Sequence, residues 1–184
     1  MATVEEIFSN LSAHMIKGLM VHDQMASYYY FLNLDGYAKC HEWHYLEESK
    51  NYLCLKKYYF KEHEKIIKEQ PIENPKILPS SWLNYTKQDV DISTKRNAVR
   101  DGLIKWMRWE EETKQIYEKA YADLIAIGQI NDALFVAKLV EDVSCELAKV
   151  KKYYIRKKDC DFDLSYIINE QKTQKEKYKQ KIGE

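Results

Sequence analysis

Four long segments of this 184-residue chain have helical apolar periodicity, and in each an acidic residue stands on or beside the apolar stripe. The positions are Asp23, Glu48, Glu110 and Glu141. A buried carboxylate without a partner is costly. One acid per helix points to a shared partner in a bundle core, and a metal ion is the usual one. The pattern predicts an all-α four-helix bundle in one domain. With only 5 glycines and 3 prolines, the chain favours long helices over a many-turned β fold.

The first helix is expected over about 3–34, opened by the capping-box pattern Thr3-x-x-Glu6. Ile7, Leu11, Met15, Leu19, Ala26 and Tyr30 recur along it, and Asp23 falls inside the series. Asp35-Gly36 reads as a turn. The second helix is expected over 37–69. Glu48 shares a face there with His41, His44, Tyr45, Tyr52 and Leu55, while Lys50, Lys57 and Lys61 form a solvated side. His44 and Glu48 are one turn apart, so both can reach one ion.

Residues 70–93 read as a crossover punctuated by Pro71, Pro75 and Pro79, with 89–93 extended. Such a length is unusual between neighbouring helices of a bundle and suits a connection joining parallel ones. The third helix is expected over 94–127 with Gly128 as its stop. Its stripe is Leu103, Trp106, Glu110, Thr113, Tyr117, Ala120 and Leu124. The fourth, over 132–158, starts at an Asn131 or Asp132 cap. Its stripe is Val136, Val140, Val143, Leu147 and Val150, with Glu141 on an adjacent face. A short fifth helix is expected over 164–182.

Formal net charge is 0, so overall charge points to no polyanionic partner. The basic C-terminal segment lacks interleaved aromatics and reads as a solvated tail, not a nucleic-acid arm. Four cysteines form no C-x-x-C pair, and a reduced, cytoplasmic chain is expected. No apolar run reaches the roughly 20 residues of a membrane span, and no signal-peptide pattern precedes Glu5 and Glu6.

At these residues the chain resembles ferritin. Asp23-Gln24-Met25-Ala26-Ser27-Tyr28-Tyr29-Tyr30 is similar to the family's Glu-Leu-Tyr-Ala-Ser-Tyr-x-Tyr. Ala38-Lys39 followed by Glu47-Glu48 resembles its second helix, with Asn51 in place of the histidine of Glu-Glu-x-x-His. Trp109-Glu110-Glu111 resembles Leu-Glu-Lys, and Phe135 to Glu146 resembles the bacterial run FLQWFVEEQVEE, placing Glu141 at an acidic position. The similarity covers roughly residues 10–150.

The resemblance implies a ferritin-like bundle that binds iron(II), one or two ions per subunit, and oxidises and stores it. Asp23 and Glu110 would be terminal ligands, Glu48 a bridge, and Glu141 or His44 supplementary. No catalytic residue separate from the ligands is implied. It also implies a homo-oligomer, with no membrane partner. Asn51 is an amide, a poor ligand for iron, so the competing expectation is a non-catalytic assembly or interaction protein with a vestigial site. A third is a carboxylate-bridged oxidase acting on a small substrate. The fifth helix does not resemble the family's, so a 24-subunit cage does not follow.

Overall fold

A computed structural model describes residues 2–77 and 90–183 of the chain. Five helices are present, with no strand among the described residues: α1 (Val4–Phe31), α2 (Asp35–His63), α3 (Ile92–Ala126), α4 (Ile130–Asp159) and α5 (Leu164–Ile182). None is long and apolar enough to cross a membrane.

The capping box forms as the sequence predicts. Thr3 Oγ1 accepts from the Glu6 amide at 3.2 Å and Glu6 Oε2 accepts from the Thr3 amide at 2.8 Å. Asp91 caps α3 by accepting from the Thr94 amide at 2.6 Å, and Asp163 caps α5 through the Tyr166 amide at 2.9 Å. Asp91 to Ser93 is therefore a helix start and not an extended segment; Asp89 and the central crossover lie outside the described residues. Neither Asn131 nor Asp132 caps α4, which begins at Ile130, one residue before Asn131.

Two further boundaries differ from expectation. Helix α2 begins at Asp35, so Gly36 belongs to its first turn and not to a loop. The glycine serves packing: a Cβ there would lie 1.8 Å from the backbone carbonyl oxygen of Gln171 in α5. Helix α2 also stops at His63, because Glu64 takes the left-handed conformation with φ of 54°. Residues 64–69 start the crossover. Tyr52 and Lys56 reach back to Glu69 at 3.0 and 2.9 Å, and the amide of Ile77 donates to Gln24 at 3.0 Å, holding this segment along the bundle.

Two apolar clusters fill the interior. One gathers the start of α1 (Phe8, Leu11), the end of α2 (Leu55, Tyr59), the end of α3 (Tyr117, Leu124) and the start of α4 (Ala133, Val136). The other gathers the opposite ends, with Met25, Tyr29, Ala38, Val99, Leu103 and Val150, and adds Ile167 and Tyr178 of α5. Helices α2 and α3 thus run parallel, as the long crossover requires. Each fully buried Leu, Ile or Phe contributes about 1.5–3 kcal/mol. Helix α5 packs along the first turns of α2, tied to it by Lys175–Asp35 at 2.7 Å, and is tied to α4 by Glu170, which pairs the fully buried Lys157 at 2.5 Å. Between the clusters lies a polar layer.

Candidate metal centre

That layer draws acids from three helices, with Glu47 and Asp142 beside the three that matter most. Glu48 of α2, Glu110 of α3 and Glu146 of α4 line one cavity of about 400 Å³, together with His44, Asn51 and Tyr117. The exposed Lys149 of α4 and Lys181, in the last turn of α5, border its mouth.

Glu110 is buried, and its Oε1 accepts a hydrogen bond from Trp106 Nε1 at 2.8 Å. Burial pushes its carboxyl up to about 8; the Trp106 bond opposes this, while Glu48 and Glu146 add to it. Burial also pushes Glu48 up to about 7, reinforced by the charges of Glu146 and Glu47. Glu48 makes no hydrogen bond or ion pair among the described residues, and every charge that shifts it is negative. The Tyr117 phenol is pushed well up by burial and by both acids, so it stays neutral.

Glu146 is held from two sides, by Lys149 at 2.9 Å and by His44 Nε2 at 3.3 Å. Burial, helped by Lys149, Lys181 and Lys177, pushes the His44 imidazole down to about 3. The nearby Glu146 carboxylate works against this, but burial is the larger influence, so the ring is neutral at pH 7 with a nitrogen lone pair.

One turn along from this layer, His22 and His41 meet at 3.0 Å between Nδ1 atoms, one donating and the other accepting. Burial pushes both imidazoles well down. The Trp106 ring centroid lies 4.6 Å from that of His41 and 5.0 Å from that of His44. One indole thereby joins the histidine layer to Glu110. On the other side, His14 Nε2 bonds Thr113 Oγ1 at 2.8 Å and its ring stacks on Trp109.

The five sequence-predicted positions do not all converge. Glu48, Glu110 and His44 line the cavity. Asp23 is exposed and borders an outer cleft with Tyr30 and Glu42. The reason is rotational. Steps of four residues advance a helix by about 40° each beyond a full turn, so Asp23 sits about 160° round from Ile7. The face that stays buried runs through Leu11, His14, Gly18, His22, Met25 and Tyr29.

The α1 position facing Glu48 is therefore Gly18, where a Cβ would lie 3.7 Å from the Glu48 carboxyl carbon and 3.2 Å from the Trp109 ring. Glu141 is likewise exposed, about 140° round from Val136. Sequence reading passed over Glu146, although it stands three residues after Val143 and four before Val150, on the buried side. Tyr30 bonds Glu42 at 2.7 Å, away from the cavity. Among the described residues, no three His, Cys, Asp or Glu side chains already converge closely enough to hold a metal ion.

No family model matches the chain, and no curated protein is similar to it. Solved structures are. A humanized archaeal ferritin matches with a TM-score of 0.67 at 13% identity, over 93% of this chain and 94% of its own. A ferritin of Archaeoglobus fulgidus, engineered into a closed form by site-directed mutagenesis, matches with a TM-score of 0.66 at 15% identity, over 95% and 97%. Near-complete coverage in both directions, the parallel α2–α3 pair and the long crossover agree: this chain has the ferritin-like fold.

Proposed function

We propose that the chain takes up iron(II) in the cavity between α2, α3 and α4, and oxidises and stores it. Glu48, Glu110 and Glu146 would hold the ion through carboxylate oxygens and His44 through a ring nitrogen. The observation that supports this is the pair Glu48 and Glu110: both carboxyls are held up by burial, Glu48 adds to the shift of Glu110, and Glu48 has no ion-pair partner among the described residues. A divalent cation turns their repulsion into attraction, which is the physical use of such a pair.

Carboxylate and imidazole together suit iron(II). The residues fit a cation but are not preset for one, since Glu146 is occupied by Lys149. Uptake of iron requires Glu146 to exchange the lysine for the ion and both buried acids to release their protons. The Asn51 amide also lines the cavity, and α1 adds no ligand at Gly18.

The test is titration of metal-free protein with iron(II), anaerobically for binding and under air for loss of ferrous ion to a ferrous-specific chelator. Wild type is expected to bind and to consume ferrous ion; Glu48→Gln and Glu110→Gln are expected to do neither. Absence of binding by wild type, or equal binding by the variants, overturns the proposal. Gly18 favours a second reading, a bundle serving assembly without metal, because the position facing Glu48 carries no side chain. That reading predicts that a chelator leaves the melting temperature of freshly purified protein unchanged.

A further inference from the structure

Between α1, α3 and the first residues of the crossover lies a cavity of about 810 Å³, twice the volume of the one between α2, α3 and α4. Its space comes from small side chains, Ala13 on α1 and Ala120 on α3, where larger ones would fill it. Ile7 and Leu11 of α1 and Ile116 of α3 make its walls apolar. Residues 71–76 roof it, with Pro71 and Pro75 among them.

The roof is tied to both helices. Gln70 Nε2 donates to Asn10 Oδ1 of α1 at 3.0 Å, and Gln24 Nε2 of α1 donates to Asn74 Oδ1 at 2.5 Å. From α3, Lys105 Nζ donates to the Ile77 carbonyl at 2.6 Å. The two prolines restrict the backbone of the span between these ties. A space held open in this way needs no rearrangement to admit a ligand, and its volume is that of a small-molecule site.

His14 gives the cavity a directional polar group. It lines the wall and is only 7% exposed. The Thr113 hydroxyl has one proton, and it goes to the Trp109 carbonyl at 2.9 Å, which can only accept. The 2.8 Å bond between Thr113 Oγ1 and His14 is therefore donated by the imidazole Nε2–H. Burial pushes His14 down to about 4, so the ring is neutral at pH 7. A neutral imidazole protonated at Nε2 carries a lone pair on Nδ1. Among the described residues no group bonds that nitrogen.

We infer that this cavity binds a neutral small molecule with an apolar body and a hydroxyl group, an alcohol or phenol, whose O–H donates to His14 Nδ1. The rim favours a neutral ligand. Lys17 pairs with Glu112 at 3.5 Å and Lys119 with Asp123 at 2.5 Å, while Lys76 and Glu73 of the roof balance one another in sign. Neither charge is left in excess to select an ion. The buried acceptor selects a donor, because a ligand that covers Nδ1 without bonding it leaves a buried polar atom unsatisfied. Iron uptake is not a premise, since the two cavities share no lining residue.

The test is fluorescence titration of the whole chain, with chelator present, using β-naphthol and its methyl ether, which has the same rings and no donor. Saturable binding of β-naphthol is expected, with the ether about tenfold or more weaker. His14→Phe keeps a ring against Trp109 and removes the acceptor, so it is expected to bind the two probes equally. Ala13→Trp fills the cavity and is expected to bind neither. Circular dichroism identifies any variant that has lost its fold; Ile116→Trp then replaces Ala13→Trp, and the comparison of the two probes on the parent chain needs no variant. Absence of saturable binding by the parent chain, equal affinity for naphthol and ether, a folded His14→Phe protein that keeps the preference, or unchanged binding by a folded cavity-filling variant overturns the inference.

Discussion

Replacing Glu110 by Gln in metal-free protein separates an acid kept for a cation from one kept for stability. Glutamine preserves the shape and the oxygen that accepts from Trp106 Nε1, and removes the ability to ionise. The folded-state carboxyl lies at about 8 against an ordinary 4.5. A raised carboxyl binds its proton more tightly folded than unfolded. Its favourable contribution is therefore complete below 4.5 and is lost as pH rises through about 8.

Ionising it in the fold costs about 1.4 kcal/mol per unit of that difference. Part of the difference is repulsion shared with Glu48, so about 3–5 kcal/mol is the expected gain of Glu110→Gln at about pH 9. At about pH 4.5 the wild-type carboxyl is protonated in the fold and the gain disappears. Urea denaturation with chelator present, at both pH values, measures the two differences. For a chain of this length each kcal/mol is also about 2–4 °C in melting temperature. Loss of stability at high pH, or an equal change at both, would refute the reasoning. Adding a divalent cation should reverse the order, because only wild type gains from binding.

Four further outcomes follow from the same interior. The stability of metal-free wild type should peak near about pH 6 in denaturation series: burial holds His14 at about 4, His44 at about 3, and His22 and His41 well down, so their contribution is lost as pH falls below 6.5, while Glu48 and Glu110 lose theirs as pH rises through about 7 and 8. Gly36→Ala should pry α5 from α2, since the new methyl meets the Gln171 carbonyl; hydrogen exchange in 164–182 would rise, and unchanged protection would count against the packing described. Glu170→Ala strands the fully buried Lys157 ammonium and should cost about 3–5 kcal/mol in denaturant unfolding; a loss below 1 kcal/mol would show that the pair is solvated. Asp23→Asn should leave iron(II) binding unchanged whereas Glu146→Gln weakens it about tenfold or more, by titration of both; the reverse order would restore the sequence-based ligand set.

The helices were legible because each part of their signal is local. Period, caps and breakers act over one or two turns, and Thr3 caps in the structure as its capping-box pattern predicts, whereas the caps at Asp91 and Asp163 were not read and the one expected at Asn131 or Asp132 does not form. The interior position of an acid was legible where it lies at the centre of a short apolar run: Glu110 has Trp106 and Thr113 within a turn on either side, and both are buried with it. It was not legible where the stripe is long. Along α1 a chain of four-residue steps leaves the core face gradually, and the local match around Ala26-Ser27-Tyr28 then fixed Asp23 as the ligand. Which face of α1 turns inward is decided across the bundle, by His14 on Thr113 and His22 on His41, ninety-nine and nineteen residues away.

The same limit explains α4. Glu141 and Glu146 are five residues apart, so about 140° separates them. Only the packing of Leu139, Val143 and Val150 tells which one faces α2. Gly18 is the hardest case. A glycine in mid-helix reads as a mild defect, yet here it is the α1 residue nearest Glu48, and its missing side chain brings Trp109 and the Glu48 carboxyl against the helix backbone. An acid at that position would face Glu48 at close range and deepen a repulsion that already holds the proton on. With Gly18 in place, the cavity keeps Glu110 largely and Glu48 partly protonated near pH 7, and a cation bound as proposed would have to displace those protons, which would make its affinity steeply dependent on pH.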